Sequence, residues 1–176
     1  TASLSGDARR QMINASNANV IFFSDPIIKS CPTGEDYPNC KISKPAEIEK
    51  ILKKDKSIAA IILEPITGSA GRIIPPKGYY ESLRKICDKY DVLLIFDEIM
   101  TGFRLSSKGG AGIFNIIPDI VTYGKVLGGG FPIGVLGGKK EIMKTQNVFY
   151  GGTFSANPLS MYASKLILET IINKEH

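Results

Sequence analysis

The sequence predicts an α/β fold with a mainly parallel sheet flanked by helices. Three observations carry this. Two apolar runs, "SIAAIILEP" (57–65) and "VLLIFDE" (92–98), lack alternation and end in carboxylates. Unbroken runs of this length mark strands covered on both faces, as in parallel sheets. A helical stripe separates them, so the order is strand, helix, strand. The chain has 176 residues, 43% hydrophobic and 22% charged, which is enough for one core and ordinary for a globular domain.

The elements follow in order. Residues 1–43 carry few signals. A short strand is expected at 19–23, and "CPTGEDYPNCKISKP" (31–45) is loop-like. "KPAEIEKILKKD" (44–55) reads as a helix, with Ile48, Ile51 and Leu52 on one face and Pro45 in its first turn. In "PPKGYYESLRKICDKYD" (75–91), Tyr79, Leu83, Ile86 and Tyr90 form one helical stripe. "PDIVTYG" (118–124) is a third strand and "FPIGVLGG" (131–138) a candidate fourth. "KKEIMKT" (139–145) is a short helix. The final helix is expected within 157–175, with Leu159, Tyr162, Ala163, Leu166 and Thr170 facing inward. There are no internal repeats and no low-complexity tract.

Composition narrows the function. There are 22 Lys+Arg against 17 Asp+Glu, a net charge of +5. The basic clusters at 53–56 and 139–140 are not interleaved with aromatics, so a single-strand nucleic-acid platform is disfavoured. No apolar run is long enough to span a membrane. The three cysteines, Cys31, Cys40 and Cys87, include no CxxC, and the one histidine is His176. No metal site is expected, a cytoplasmic location is, and a Cys31–Cys40 disulfide remains open. With one histidine, proton transfer must rest on Lys, Asp, Glu, Tyr or water.

The polar residues gather at the ends of the apolar runs: Glu64, Asp97 with Glu98, and Lys125. In open α/β sheets, ligands bind at the carboxyl ends of the strands. Asp97 and Glu98 resemble a Mg²⁺-holding pair, but such a pair needs a phosphate loop, and the glycine spacings of "GKVLGGGFPIGVLGG" fit neither G-x-x-x-x-G-K-[ST] nor G-x-G-x-x-G. Lys125 sits between apolar stretches. A lysine in low dielectric has its neutral amine favoured and attacks carbonyls to form a Schiff base. An aspartate on one strand end and a lysine about 30 residues later on another suggest pyridoxal phosphate, whose ring nitrogen a carboxylate keeps protonated.

The chain resembles the class III pyridoxal-phosphate aminotransferases, of fold type I. The matching stretches are "AAIILEPITGSAGRIIPPKGYYESLRKICDKYDVLLIFDEIMTGFR" (59–104), "PDIVTYGKVLGGGFPIGVLGGKKEIM" (118–143) and "YGGTFSANPLSM" (150–161). They stand in the family's order over residues 44–172, about three-quarters of the chain. "FDEIMTGFR", "KGGAGIF" and "GKVLGGGFPIG" look most like the glutamate-1-semialdehyde 2,1-aminomutase-like subgroup, although Gly112 stands where that pattern has Gln. They look equally like aminotransferase domains of that subgroup within larger synthases.

The resemblance implies roles residue by residue. Lys125 matches the Schiff-base lysine and proton carrier. Asp97 matches the partner of the pyridine nitrogen, and Ile99 the apolar residue on the ring face. Glu64 matches the glutamate of the "EP" motif, for which a structural role is equally open. Gly152 and Thr153 match the phosphate-binding stretch supplied by the neighbouring subunit. The implied cofactor is pyridoxal 5'-phosphate, the implied partners a small-molecule amino donor or acceptor and a second copy in a homodimer with a shared active site. The family's phosphate cup and ring-stacking aromatic precede the matched region, and its small C-terminal domain follows it. Residues 1–176 are therefore expected to be a partial large domain, truncated at both ends, with 1–43 unassigned. The alternative is a truncated, non-catalytic remnant or interaction domain that keeps this fold. Arg72 and Arg104 are candidate contacts for a substrate carboxylate.

Overall fold

A computed structural model describes residues 20–23, 45–68, 72–144 and 151–172. Cys31, Cys40 and the end of the expected last helix lie outside the described residues. Helix α1 (Pro45–Lys54) precedes strand β1 (Ala60–Leu63), then helix α2 (Tyr79–Tyr90) and strand β2 (Leu93–Asp97). Helix α3 (Gly109–Phe114) leads to strand β3 (Ile120–Gly124) and a 3-10 turn (Lys125–Gly128). Strand β4 (Gly134–Gly138), helix α4 (Lys140–Met143) and helix α5 (Pro158–Ile172) complete the order.

The four strands form one sheet in sequence order. β1, β2 and β3 are parallel, with Ala60 opposite Leu93 and Ile95 opposite Ile120. β4 returns antiparallel beside β3, with Ile120 opposite Gly138. The sheet is mainly parallel, as the unbroken apolar runs predict. The short loop of 129–133 cannot carry a parallel crossover, which takes a dozen residues or more, so β4 has to reverse direction.

The core is continuous between the helices and the sheet. Ile48, Leu52, Ile61, Tyr79, Tyr80, Leu83, Cys87, Val92, Leu94, Phe96 and Ile116 form it. The predicted face of α1 holds. In α2 the buried face centres on Tyr80, Leu83 and Cys87, with Ile86 and Tyr90 at its margin. The rings of Tyr79, Tyr80 and Phe96 pack edge to face at 5.0–5.2 Å between centroids. α2 ends on Asp91 and α3 on Asn115, both left-handed with φ of 55° and 52°, a conformation that short polar side chains tolerate.

Two expectations fail. Residues 20–23 form no strand, though Phe23 packs on the core. Among the described residues no strand takes up their backbone groups. In α5 the expected inner stripe is turned outward: Leu159, Tyr162 and Leu166 are 66%, 63% and 45% exposed. Thr170 is exposed as well, and only Ala163 of that stripe is half-buried. Ser160 and Ser164 face inward instead, at 4% and 5%. The reason is the surface they meet. α5 lies on the glycine-rich turn after Lys125, where close approach favours small side chains. Ser164 satisfies its hydroxyl on the Ser160 carbonyl at 2.8 Å, and Ile167 reaches over Gly129. None of the described helices is long and apolar enough to cross a membrane.

Candidate active site

The carboxyl ends of β1, β2 and β3 lie side by side, and the polar residues expected there are there. Asp97 is the last residue of β2 and stands opposite Thr122 on β3. Asp97 Oδ1 accepts from the Ile99 amide at 3.0 Å and from Thr122 Oγ1 at 3.3 Å. Ile99 turns over the start of the next loop and packs against the backbone of Gly124, 3.7 Å from where a β-carbon would be. Lys125 follows Gly124 directly. A side chain at Gly124 would only touch Ile99 but would come 3.2 Å from the Ile133 carbonyl, a tight backbone contact that favours a glycine immediately before the lysine.

Lys125 has φ of 45°. A non-glycine residue in this region carries local strain, and such residues cluster at functional sites. Its amine meets the sulfur of Met100. Its side chain is exposed within this chain, so the apolar surroundings expected from the sequence do not enclose it. The 3-10 turn sends Leu127 into the core and leaves Lys125 on the rim. Apolar neighbours along the chain are thus not apolar neighbours in space. Gly129 and Gly130 have φ of 55° and 100° and shape the reversal into β4.

Glu64 joins the same rim. Its carboxylate accepts from the Gly68 amide, and Gly68 lies against Met100. Glu64, Gly68, Met100 and Lys125 therefore form a continuous line across the strand ends. Tyr80 fixes the root of Glu64 by donating to the Pro65 carbonyl at 2.8 Å. Arg104 donates to the Met100 carbonyl at 2.7 Å on the exposed side. Arg72 is exposed with φ of 57°.

Asp97 and Glu98 divide. Adjacent residues at a strand end point to opposite faces, so Asp97 stays on the rim while Glu98 is fully buried. Glu98 accepts from the amides of Gly110 and Ala111 at 3.0 and 2.8 Å and from the Thr101 hydroxyl. Its carboxylate thus satisfies the free amides at the start of α3, where the helix end favours negative charge. A side chain at Gly109 would strike this carboxylate, and one at Gly110 would come 2.4 Å from Pro65 Cβ. At Gly112 a β-carbon would fall 2.5 Å from Lys108 Cβ, so the Gln of the aminomutase pattern requires Lys108 to move.

The opposite edge of the sheet carries a second charged cluster. Asp119 is 3% exposed and accepts from Arg84 at 2.7 Å, Lys139 at 2.6 Å and the Leu94 amide at 2.7 Å. Burial works to raise its pKa, but the Leu94 amide, the Lys139 ammonium and the Arg84 guanidinium outweigh burial and hold it below the ordinary aspartate value. This cluster lies at the amino ends of β2 and β3, away from Lys125, and ties β2, β3, α2 and the start of α4 together.

Gly152 and Thr153 are exposed. The bond recorded in their turn is local, from the Ser155 amide to the Gly152 carbonyl at 2.9 Å. The structure brings Glu64, Asp97, Ile99 and Lys125 together on one rim and leaves Gly152 and Thr153 outside that group. Sequence reasoning missed Thr122 and Met100. The signal for Thr122 was a hydroxyl within an otherwise apolar strand, level with Asp97.

Comparison with solved structures defines the class. The fold matches an ornithine aminotransferase from Plasmodium yoelii with a TM-score of 0.67 and 35% identity, over 73% of this chain and 35% of that one. It matches an (S)-enantioselective omega-transaminase from Thermomicrobium roseum with a TM-score of 0.67 and 32% identity, over 74% of this chain and 31% of that one. The architecture is fold type I of the pyridoxal-phosphate transaminases.

Residues 2–176 match the family profile of aminotransferase class-III, and the chain belongs to that family. The glutamate-1-semialdehyde 2,1-aminomutase of Caldicellulosiruptor saccharolyticus is 50% identical over 121 residues, 66% of this chain and 28% of that protein. That of Legionella pneumophila is 43% identical over 153 residues, 84% of this chain and 35% of that protein. The chain spans about a third of the length of the curated relatives it matches.

Proposed function

We propose that this chain carries the catalytic lysine region of a pyridoxal-5'-phosphate-dependent enzyme of amino-group transfer, of aminotransferase or aminomutase type. One observation carries the reading. Lys125 and Asp97 stand at the carboxyl ends of neighbouring parallel strands, with Ile99 packed on the glycine that precedes the lysine. The donor set fits the cofactor: an amine for a carbonyl carbon, a carboxylate for a protonated ring nitrogen, and an apolar side chain for a ring face.

Pyridoxal phosphate, when bound, supplies an electron sink for the charge left as a substrate C–H bond breaks. The chain's residues hold and move protons around it. The Lys125 amine would hold the cofactor's carbonyl carbon and would take up and return the substrate proton at its Nζ. Asp97 would keep the ring nitrogen protonated, and so would favour the charge that makes the ring a sink. Ile99 would cover one ring face and keep water from it. Glu64 lies on the substrate's amino side. Exposed Gly152 and Thr153 are suited to the phosphate held by a second copy, which makes the proposed enzyme a homodimer. Its substrates are small-molecule amino donors and acceptors and its location cytoplasmic. The aminomutase names of the relatives favour the aminomutase branch.

The test is borohydride reduction of the full-length protein loaded with pyridoxal 5'-phosphate, followed by peptide mapping. The reduced cofactor is expected on Lys125. A label elsewhere, or none, overturns the enzyme reading and leaves a non-catalytic domain of this fold.

A further inference from the structure

We propose that Thr122 is a positioning residue that fixes the side chain of Asp97 for its contact with the cofactor's ring nitrogen. This rests on the role given to Asp97 above. Asp97 and Thr122 are partners in the parallel register of β2 and β3, so their side chains leave the same face of the sheet. Thr122 Oγ1 donates to Asp97 Oδ1 at 3.3 Å, and the Ile99 amide donates to the same oxygen at 3.0 Å. Oδ2 receives no donor from the described residues. A carboxylate held twice through one oxygen has its rotamer fixed and offers the other oxygen outward. The backbone beneath is equally fixed, since the Glu98 amide donates to the Thr122 carbonyl at 2.9 Å.

The sheet itself does not call for a hydroxyl at this position. Ile120 and Val121 fill the same strand with branched apolar side chains, and valine would suit the strand as well as threonine. The hydroxyl adds one thing, a donor aimed at Asp97. At 3.3 Å the contact is long for a hydroxyl and a carboxylate. Hydrogen bonds at catalytic groups tighten when the site is loaded.

The experiment uses the full-length protein and its Thr122→Val, Thr122→Ser and Asp97→Ala variants, singly and as Asp97→Ala/Thr122→Val. Cofactor affinity is read by absorbance titration with pyridoxal 5'-phosphate, and the ring nitrogen by ¹⁵N NMR of labelled cofactor. Thr122→Val is expected to weaken binding roughly three- to tenfold, as for the loss of one ordinary hydrogen bond, and to move the ¹⁵N resonance. Thr122→Ser is expected to restore both to within about twofold. In the Asp97→Ala background Thr122→Val is expected to change nothing further, whereas a merely structural residue weakens binding by the same factor in both backgrounds. If Thr122→Val melts early, Thr122→Cys serves as the hydroxyl-free variant. Unchanged affinity and resonance in the hydroxyl-free variant, beside a clear defect in Asp97→Ala, overturns the role of Thr122 alone. Binding indifferent to Asp97→Ala overturns the reading of Asp97 and this one with it.

Discussion

The phenol of Tyr80 donates to the carbonyl of Pro65 at 2.8 Å, joining α2 to the turn that carries Glu64. Both residues are buried, and burial pushes the phenol's pKa far above its ordinary value, helped by Tyr79 and Glu98. Tyr80 is therefore a neutral donor throughout the working pH range. Tyr80→Phe leaves a buried carbonyl without its donor, which costs about 1–3 kcal/mol. Urea denaturation is expected to show that loss with an unchanged m-value.

Glu98 shows a larger dependence. Glu98→Ala strands two amides at the start of α3 and the Thr101 hydroxyl. A loss of roughly 3 kcal/mol is expected, since each orphaned group carries a desolvation penalty. Glu98→Gln is not a rescue, because its amide nitrogen is a donor facing donors. Thermal unfolding of the three proteins is expected to rank the native chain above both variants.

Asp119 links stability to acid. Its folded pKa lies below its unfolded one, so the stability it contributes is complete above the ordinary aspartate value. That stability fades as pH falls through the lower, folded value. Asp119→Asn is expected to lower stability at neutral pH and to flatten the dependence of stability on pH below about 4. Denaturation midpoints at several acidic pH values read this directly. A pH dependence identical to that of the native chain sinks the assignment.

Lys125→Ala separates chemistry from folding. The side chain is exposed and its sequence position is strained, so the variant is expected to melt within about 1 kcal/mol of the native chain. Turnover by the full-length protein is expected to fall by 10² or more, roughly the contribution of a positioned proton carrier. Steady-state rates and a melting curve on the same preparation suffice.

The fold was legible in its apolar runs. The runs before Glu64 and Asp97 are apolar on every residue, although one face of β2 is buried and the other half-buried, and their strands lie where the runs lie. The site was legible through strand ends, since a polar residue directly after such a run lies on the rim. Three things were hidden. α3 begins with two glycines, poor helix formers, and forms because Glu98 holds its first amides. The inward face of α5 is made of serines because its partner is a glycine turn, and no periodicity of apolar residues reports a partner's shape. The exposure of Lys125 depends on one left-handed residue, which sequence neighbours do not reveal.

The parallel pairing of β2 with β3 has a consequence for how such a protein changes over time. The roots of Asp97 and Thr122 are fixed by inter-strand spacing, about 4.8 Å in any sheet, and not by the segment from Met100 to Pro118 that connects the strands. Changes in that segment that spare the core contact of Ile116 and the amides held by Glu98 therefore leave the separation of Asp97 and Thr122 unaltered. Variation can accumulate there while the spacing of that pair is inherited unchanged.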